Sequence, residues 1–218
     1  LSAIFVVLLP PLARLVIGVA VVAAAVIAVL YTWRRPERIG AIVRENLLLL
    51  IPLSILGTLA GLTYSLNLDD LVTFAAFLIL IPPFMGGLGS IGGILGSSLS
   101  TGMHTGEINP RPLPERGVVH HFIISYLYTL VLLPLLALIA HGAAVLMGLN
   151  SPGLGMLVVI SLVAGLVVMT LVNGVAYVTA SLSFRYGLDP DNFGIPVITS
   201  LIDLIGAATL MAVIDLLL

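Results

Sequence analysis

Charged residues are scarce in this chain. Asp, Glu, Lys and Arg together make up 8% of its 218 residues, and lysine is absent. Hydrophobic residues make up 60%, and the mean hydropathy is +1.26. A soluble domain of this length cannot bury so much apolar side chain, so the sequence predicts an integral membrane protein. Strands of β-barrels alternate in polarity and stay near neutral on such scales, which leaves α-helices as the spanning elements.

Cysteine is also absent, which excludes disulfide bonds and thiolate metal sites. The net charge of −2 argues against a nucleic-acid partner. The sequence contains no nucleotide-binding loop, no catalytic dyad and no zinc-ligand spacing. We therefore predict that the protein is not an enzyme.

Apolar runs long enough to cross a bilayer predict an all-α protein with six transmembrane helices. The first lies at about 11–31, within an extra N-terminal segment, 1–33. The other five are predicted at about 46–66, 71–103, 118–140, 154–183 and 195–218. A straight helix over 71–103 would be about 50 Å long, against about 30 Å of hydrocarbon, so we expect a kink near Pro82 and Pro83.

The arginines orient these helices. By the positive-inside rule, the loops that carry arginine are cytoplasmic. Seven of the eight arginines lie in or beside such loops, namely Arg34, Arg35, Arg38, Arg44, Arg111, Arg116 and Arg185. This arrangement predicts a multi-pass plasma-membrane protein with both ends of the chain outside. The first arginine cluster follows the first apolar run, whereas a signal peptide would carry it in front.

Glycine is concentrated in the third span, over 82–106. On helical spacing, one face of this span carries small and hydroxyl side chains, namely Gly86, Ser90, Gly93, Ser97, Thr101 and His104. Two interpretations remain open. The face is either a close-packed helix contact or the wall of a polar path through the bilayer.

Asp203 lies about eight residues into the last span, near the middle of the membrane. A charge at that depth costs about 2.5–3.5 kcal/mol, and no arginine is predicted at a comparable depth to pair with it. It is either a protonated, hydrogen-bonded acid or a carboxylate in a wet path that binds a cation. Oxygen ligands favour magnesium, calcium or manganese. Because one carboxylate is few for a divalent ion, we expect a twofold dimer that contributes two.

Three other groups of polar residues have two interpretations each. Asn173, on a stripe with Thr170, Tyr177 and Ser181, is expected to bond a neighbouring helix. The adjacent acids at 69 and 70 form a solvated turn or attract cations at a pore entrance. His104 and Glu107 share a face if the helix persists, and would then form a cation site at its inner end. Otherwise they mark a solvated helix end.

Two segments together resemble the MgtE family of divalent-cation transporters. One is the third span followed by His104-Thr105-Gly106-Glu107-Ile108. The other is Leu188-Asp189-Pro190 followed by 198–206, which contains Asp203-x-x-Gly206. The resemblance covers about 42–218. It implies a homodimer of five-helix domains with a central magnesium path, lined by the second and fifth family helices, here 82–106 and 195–218.

The resemblance also implies roles for individual residues. Asp203 takes the place of the family's ion-binding aspartate, Thr199 and Gly206 fall where backbone contacts to the hydrated ion are expected, and Asn173 matches an asparagine of the fourth family helix. The expected metal-path residues are Asp203, Thr199, Gly206, Ser90, Gly93, Ser97 and Asn173. Ser90 stands where the MgtE branch has asparagine, which leaves the selectivity open. The extra first helix indicates a half-sized relative of the eukaryotic solute-carrier branch.

The primary functional hypothesis is transport of divalent cations, with magnesium first and manganese or calcium as alternatives. A second hypothesis is a sodium- or proton-coupled exchanger that works at Asp203. A third is a scaffold in the membrane that transports nothing and uses its glycine seams for assembly alone.

Overall fold

The computed structural model describes residues 38–111, 114–187 and 190–218, with parts of 16–31. Side chains are described from Leu50 onward, apart from 70 and 190–193 within helices. The predicted first span lies for the most part outside the described residues. The chain separates into two compact units, Leu1–Leu48 and Leu49–Leu218, and the second contains the features discussed below.

All regular secondary structure in the described ranges is helical. The helices are α1 (Arg38–Leu66), α2 (Leu68–Thr73), α3 (Ala76–His104), α4 (Arg116–Leu146), α5 (Leu154–Tyr186) and α6 (Pro190–Leu217). Among the described residues, four segments are long and apolar enough to cross a membrane, and Leu50–Leu66 is a shorter apolar helix. The four are Ala76–His104, Arg116–Leu146, Leu154–Tyr186 and Gly194–Leu217. The predicted all-α class is confirmed, whereas the count of six spans and the dimer stay predictions.

The third span differs from its prediction. Helix α3 begins at Ala76 and continues through Pro82 and Pro83, and the interruption after Leu68 lies at Phe74 and Ala75. The span was predicted to begin near Leu71 as one helix, so its interruption at Phe74 and Ala75 differs from the prediction, whereas the kink expected near Pro82 and Pro83 stays a prediction. The reason is tertiary: the Ala76 N–H donates to the Asn150 carbonyl at 3.2 Å, so it is bonded outside its own helix.

Two contacts fix the up-and-down order of the long helices. At one end, the bond from Ala76 to Asn150 joins the start of α3 to the α4–α5 connection. At the other end, the Tyr177 hydroxyl of α5 donates to the Arg111 carbonyl at 2.6 Å, in the α3–α4 connection. Helix α5 packs against α3, α4 and α6, and α3 also packs against α4 and α6. These four helices form the core of the bundle.

Glycines of α3 and α6 allow this core to pack closely. A Cβ added to Gly92 would lie 2.8 Å from Ile198 and 2.9 Å from Val172, and one added to Gly96 would lie 2.8 Å from Ile198. On α6, a Cβ at Gly206 would lie 2.7 Å from the Met85 sulfur. A larger residue at Gly92 or Gly96 would displace Ile198 from its place between the helices, whereas at Gly206 it would meet the end of the flexible Met85 side chain. The interpretation of the glycine-rich span as a close-packed contact therefore holds for Gly92 and Gly96.

Candidate functional site

Asp203 lies on α6 with its side chain exposed, between the buried residues Ile202 and Gly206. It belongs to the apolar segment Gly194–Leu217, which is long enough to cross a membrane. No hydrogen bond or ion pair to its carboxylate comes from any residue that the structure describes. The described residues thus leave the Asp203 carboxyl group without a partner on an exposed part of this apolar helix, where a charged carboxylate in contact with lipid would be costly.

Tyr64 of α1 lies near enough to Asp203 to interact with it electrostatically. Its hydroxyl oxygen is buried and has no hydrogen-bond partner among the described residues. A buried hydroxyl in that state calls for a water or a ligand nearby. Tyr64 was not among the predicted site residues, because a single tyrosine in an apolar helix carries no signal until its neighbour on another helix is known.

Helices α3 and α6 meet beside Asp203 through Gly89 and Thr199. A Cβ added to Gly89 would lie 3.7 Å from the Thr199 methyl group, an ordinary contact distance. The Thr199 hydroxyl donates to its own helix, at 2.9 Å from the Ile195 carbonyl and 3.1 Å from the Pro196 carbonyl. These hydrogen bonds leave the lone pairs of the Thr199 oxygen as acceptor sites for a water molecule.

Ser90 and Gly206 are placed differently from each other. Ser90 is exposed on α3, and its hydroxyl donates to the Gly86 carbonyl at 2.8 Å. Gly206 is buried, and the side on which a Cβ would stand faces Met85 of α3. Ser90 can therefore offer an oxygen to an ion path on the open face, whereas the described contact of Gly206 is a packing one.

A groove of about 750 Å³ opens along α3. We call it the α3 groove; its lining includes Gly93, Ser97 and Thr101 of α3 and Ile195 of α6. Gly86, Ser90, Thr101 and His104 on the same predicted face are exposed. This face of α3 therefore lies open along the groove, while Gly92 and Gly96 pack against the bundle. The close-packed interpretation describes one side of the helix, and a polar path along the other side stays a prediction.

Asn173 lies apart from the open face. It is 3% exposed, and its carbonyl oxygen accepts a hydrogen bond from the Ser125 hydroxyl at 2.7 Å, so the expected bond to a neighbouring helix is present. Its amide nitrogen is buried and has no partner among the described residues. The contact that the structure gives Asn173 thus joins α5 to α4, and its contact with an ion stays an expectation.

The pair His104 and Glu107 does not form the site that a continuous helix would have given. Helix α3 ends at His104, and Gly106 with φ of 78° turns the chain before Glu107. The His104 Nδ1 lies 2.8 Å from the Ser100 carbonyl, and its ring meets Phe184 edge to face at 5.0 Å. Within the described ranges, no three His, Asp or Glu side chains are grouped to hold a metal ion.

Comparison with known proteins bears on this geometry. The family model for MgtE, a divalent cation transporter, matches residues 81–213. The match covers more than half of the chain, including nearly all of α3, the whole of α4 and α5, and Asp203. No curated protein matches the chain. Since the family model covers the helices that form the groove and carry the acid, the chain belongs to the MgtE family of divalent cation transporters.

Proposed function

We propose that this protein carries magnesium across the plasma membrane, through a path at the axis of a homodimer. The path is lined by 82–106 and 195–218. Asp203 is its charged site, and oxygen atoms of Ser90, Ser97 and Thr199 lie along it. Gly93 and Gly206, which have no side chain, leave room for the ion and for close approach of the helices.

The observation that carries the proposal is the exposed Asp203 carboxylate in an apolar helix. Lipid contact would make that charge expensive, by about 2.5–3.5 kcal/mol on insertion scales. Two kinds of surroundings would lower this free-energy cost: a water-filled path, or a second subunit that faces Asp203. A path at a twofold axis provides both, because the two Asp203 side chains then face one aqueous region.

The chemistry of the proposed path suits a hydrated magnesium ion. Magnesium dehydrates reluctantly and is usually held through one or two carboxylates while it keeps several waters. Hydroxyl groups such as those of Ser90 and Thr199 then accept hydrogen bonds from those waters rather than binding the metal. The same hard oxygen atoms also suit manganese and calcium, so these are the competing ions to measure.

The proposed orientation follows from the arginines. Arg111 and Arg116 lie in or beside the α3–α4 connection, and Arg185 lies in the last turn of α5. The bond from Tyr177 to the Arg111 carbonyl brings the same end of α5 to that connection. Under the positive-inside rule this end is cytoplasmic, and with six spans both ends of the chain are outside.

Flux through liposomes tests the function directly. Purified protein in vesicles that contain a magnesium indicator should admit magnesium down its gradient, faster with the interior negative. Uptake that needs a sodium or proton gradient would instead establish the exchanger. Protein-free vesicles give the leak rate, and a rate that does not exceed this leak for magnesium, manganese or calcium would establish the scaffold.

The dimer predicts a cross-link between Thr199 side chains of two subunits. Because the chain has no cysteine, Thr199→Cys is the single thiol in the molecule. It should give a dimer with a short bis-maleimide in lipid. Val131→Cys is the matched control, because Val131 is 72% exposed on α4. Monomers that transport normally, without any cross-link at Thr199, would contradict the proposal.

A further inference from the structure

The α3 groove has a second polar end that the proposed path to Asp203 does not use. Beyond Ser97 and Thr101, its lining includes Ser98 of α3, Glu107 of the α3–α4 connection and His121 of α4. Three separate elements thus bring a carboxylate, an imidazole and hydroxyl groups to one open space. Sequence spacing did not predict this grouping, because a loop and the first turn of α4 separate His121 from Glu107 in the chain.

The chain after α3 is folded to hold Glu107 at this groove. The Ile108 N–H donates to the Gly102 carbonyl at 2.9 Å, and the Ile108 side chain is 4% exposed. A Cβ on Gly102 would lie 2.7 Å from Ile108, so the glycine provides its pocket. With Gly106 in the left-handed region before it and Ile108 anchored after it, Glu107 has its backbone fixed on both sides.

The two acids of this connection differ in their partners. Glu115 accepts a hydrogen bond from the Asn109 N–H at 2.8 Å and pairs with Arg111 at 4.0 Å, so it stabilises the loop. Glu107 is exposed, and it has no hydrogen bond or ion pair with any side chain in the described part of the chain. Its charge is therefore available to a ligand in the groove.

His121 is oriented by its own hydrogen bond. The Nδ1 atom lies 3.2 Å from the Ser98 hydroxyl oxygen, which links α4 to α3 across the groove. That bond engages one ring nitrogen and leaves Nε2 without a partner among the described residues. An imidazole held in this way presents a polar atom at a fixed position, either to a water molecule or to an ion.

We propose that the α3 groove binds a hydrated divalent cation at Glu107, separately from the Asp203 site. One carboxylate is too few to strip such an ion, so the ion keeps its waters, and His121, Ser98 and Thr101 bond to those waters. The space is sufficient: six waters occupy about 180 Å³ at the volume of liquid water, against about 750 Å³ for the groove.

The site has a role in transport that rests on the proposed function. Gly93 and Ser97 line the same groove nearer the start of α3, so a cation held at Glu107 lies in the same open space as these two residues of the proposed path. Such a site raises the local cation concentration at this mouth without setting the rate of passage. Glu107→Gln should then raise the half-saturating cation concentration for transport about tenfold when the ions enter from the side of the α3–α4 connection. The maximal transport rate should change little.

The binding test uses manganese as the probe, because the electron paramagnetic resonance signal of free Mn²⁺ falls when the ion binds to protein. Full-length protein in nanodiscs should bind manganese at two kinds of site that magnesium displaces. Glu107→Gln should remove one of them and retain the other. Glu115→Gln is the matched control: the same substitution in the same loop, with an amide oxygen that still accepts from Asn109. It should keep both sites. His121→Gln should weaken the same site as Glu107→Gln.

The outcomes separate this proposal from the transport proposal. Unchanged manganese binding in Glu107→Gln overturns the groove site, whatever the flux shows. Equal losses in Glu107→Gln and Glu115→Gln also overturn it, because they would reflect loop charge in general. Loss of one site in Glu107→Gln alone, in a protein that carries no flux, establishes the groove site while the transport proposal fails.

Discussion

Replacing Asp203 with asparagine should abolish divalent-cation flux and leave the protein folded. The amide has nearly the same shape, and no described hydrogen bond or ion pair depends on the carboxylate. The substitution removes the negative charge that offsets the cost of bringing a divalent ion into a low-dielectric region. If that charge contributes about 2.5–3.5 kcal/mol, flux should fall by a factor of about 60 to 400. In a dimer, two charges disappear at once.

Asp215→Asn is the matched control for this experiment. Asp215 is also exposed on α6, but it lies near the end of the helix, away from the middle of the membrane. Magnesium flux and thermal unfolding are measured for both variants in the same lipid. The expected result is loss of flux in Asp203→Asn alone, with similar unfolding temperatures. Normal flux in Asp203→Asn would refute the site assignment and favour the scaffold hypothesis.

The sequence predicted the described helices and the position of Asp203 within one of them, because both follow from the order of residues within a single apolar run. An apolar run of sufficient length predicts a helix in the membrane, and an isolated acid in such a run is conspicuous by composition alone. Helix α5 begins at its predicted first residue and ends three residues after its predicted end, because glycine flanks it on both sides, whereas α4 begins two residues early and ends six residues after its predicted end.

The failures share a different cause, which is contact between distant parts of the chain. The helix break falls at Phe74 and Ala75 because the Ala76 N–H bonds to Asn150, and nothing local in the sequence reports that partner. The surroundings of Glu107 also depend on distant contacts. The helix ends at His104, as the second of the two interpretations had it, and with the turn at Gly106 and the anchored Ile108, Glu107 lines the groove that His121 of α4 also lines.

The glycine-rich helix shows the same limit within two adjacent residues. Gly92 and Gly93 are the same residue type, and helical spacing places only Gly93 on the face of small and hydroxyl side chains. Only the positions of α5 and α6 show that Gly92 is enclosed by Val172 and Ile198, whereas Gly93 borders the groove. Gly92 therefore belongs to a helix contact and Gly93 to the groove lining, and substitutions at the two positions should have different effects.

Gly93→Leu should block flux while the protein stays folded. A Cβ at Gly93 would lie 3.9 Å from its nearest neighbour, Ile195, which is an ordinary contact, so the first carbon of the new side chain fits. The rest of the leucine would extend into the α3 groove, which Gly93 lines. Exclusion by volume should then reduce magnesium flux to the leak rate of protein-free vesicles. Gly93→Ala should retain much of the flux, because it adds only the carbon that fits.

Gly92→Ala is the opposite case and serves as the comparison. Its Cβ would lie 2.8 Å from an Ile198 methyl group and 2.9 Å from a Val172 methyl group, so these side chains, or the helices that carry them, must shift. Overpacking of this kind costs about 1–3 kcal/mol, against a helix-propensity gain of at most about 1 kcal/mol. The unfolding temperature should therefore fall in Gly92→Ala, although the added group is smaller than the leucine at Gly93. Gly86→Ala, where a Cβ meets nothing within 4 Å, is the neutral control. If Gly93→Leu transports at the normal rate, the groove is not part of the path and the open face of α3 has been assigned wrongly.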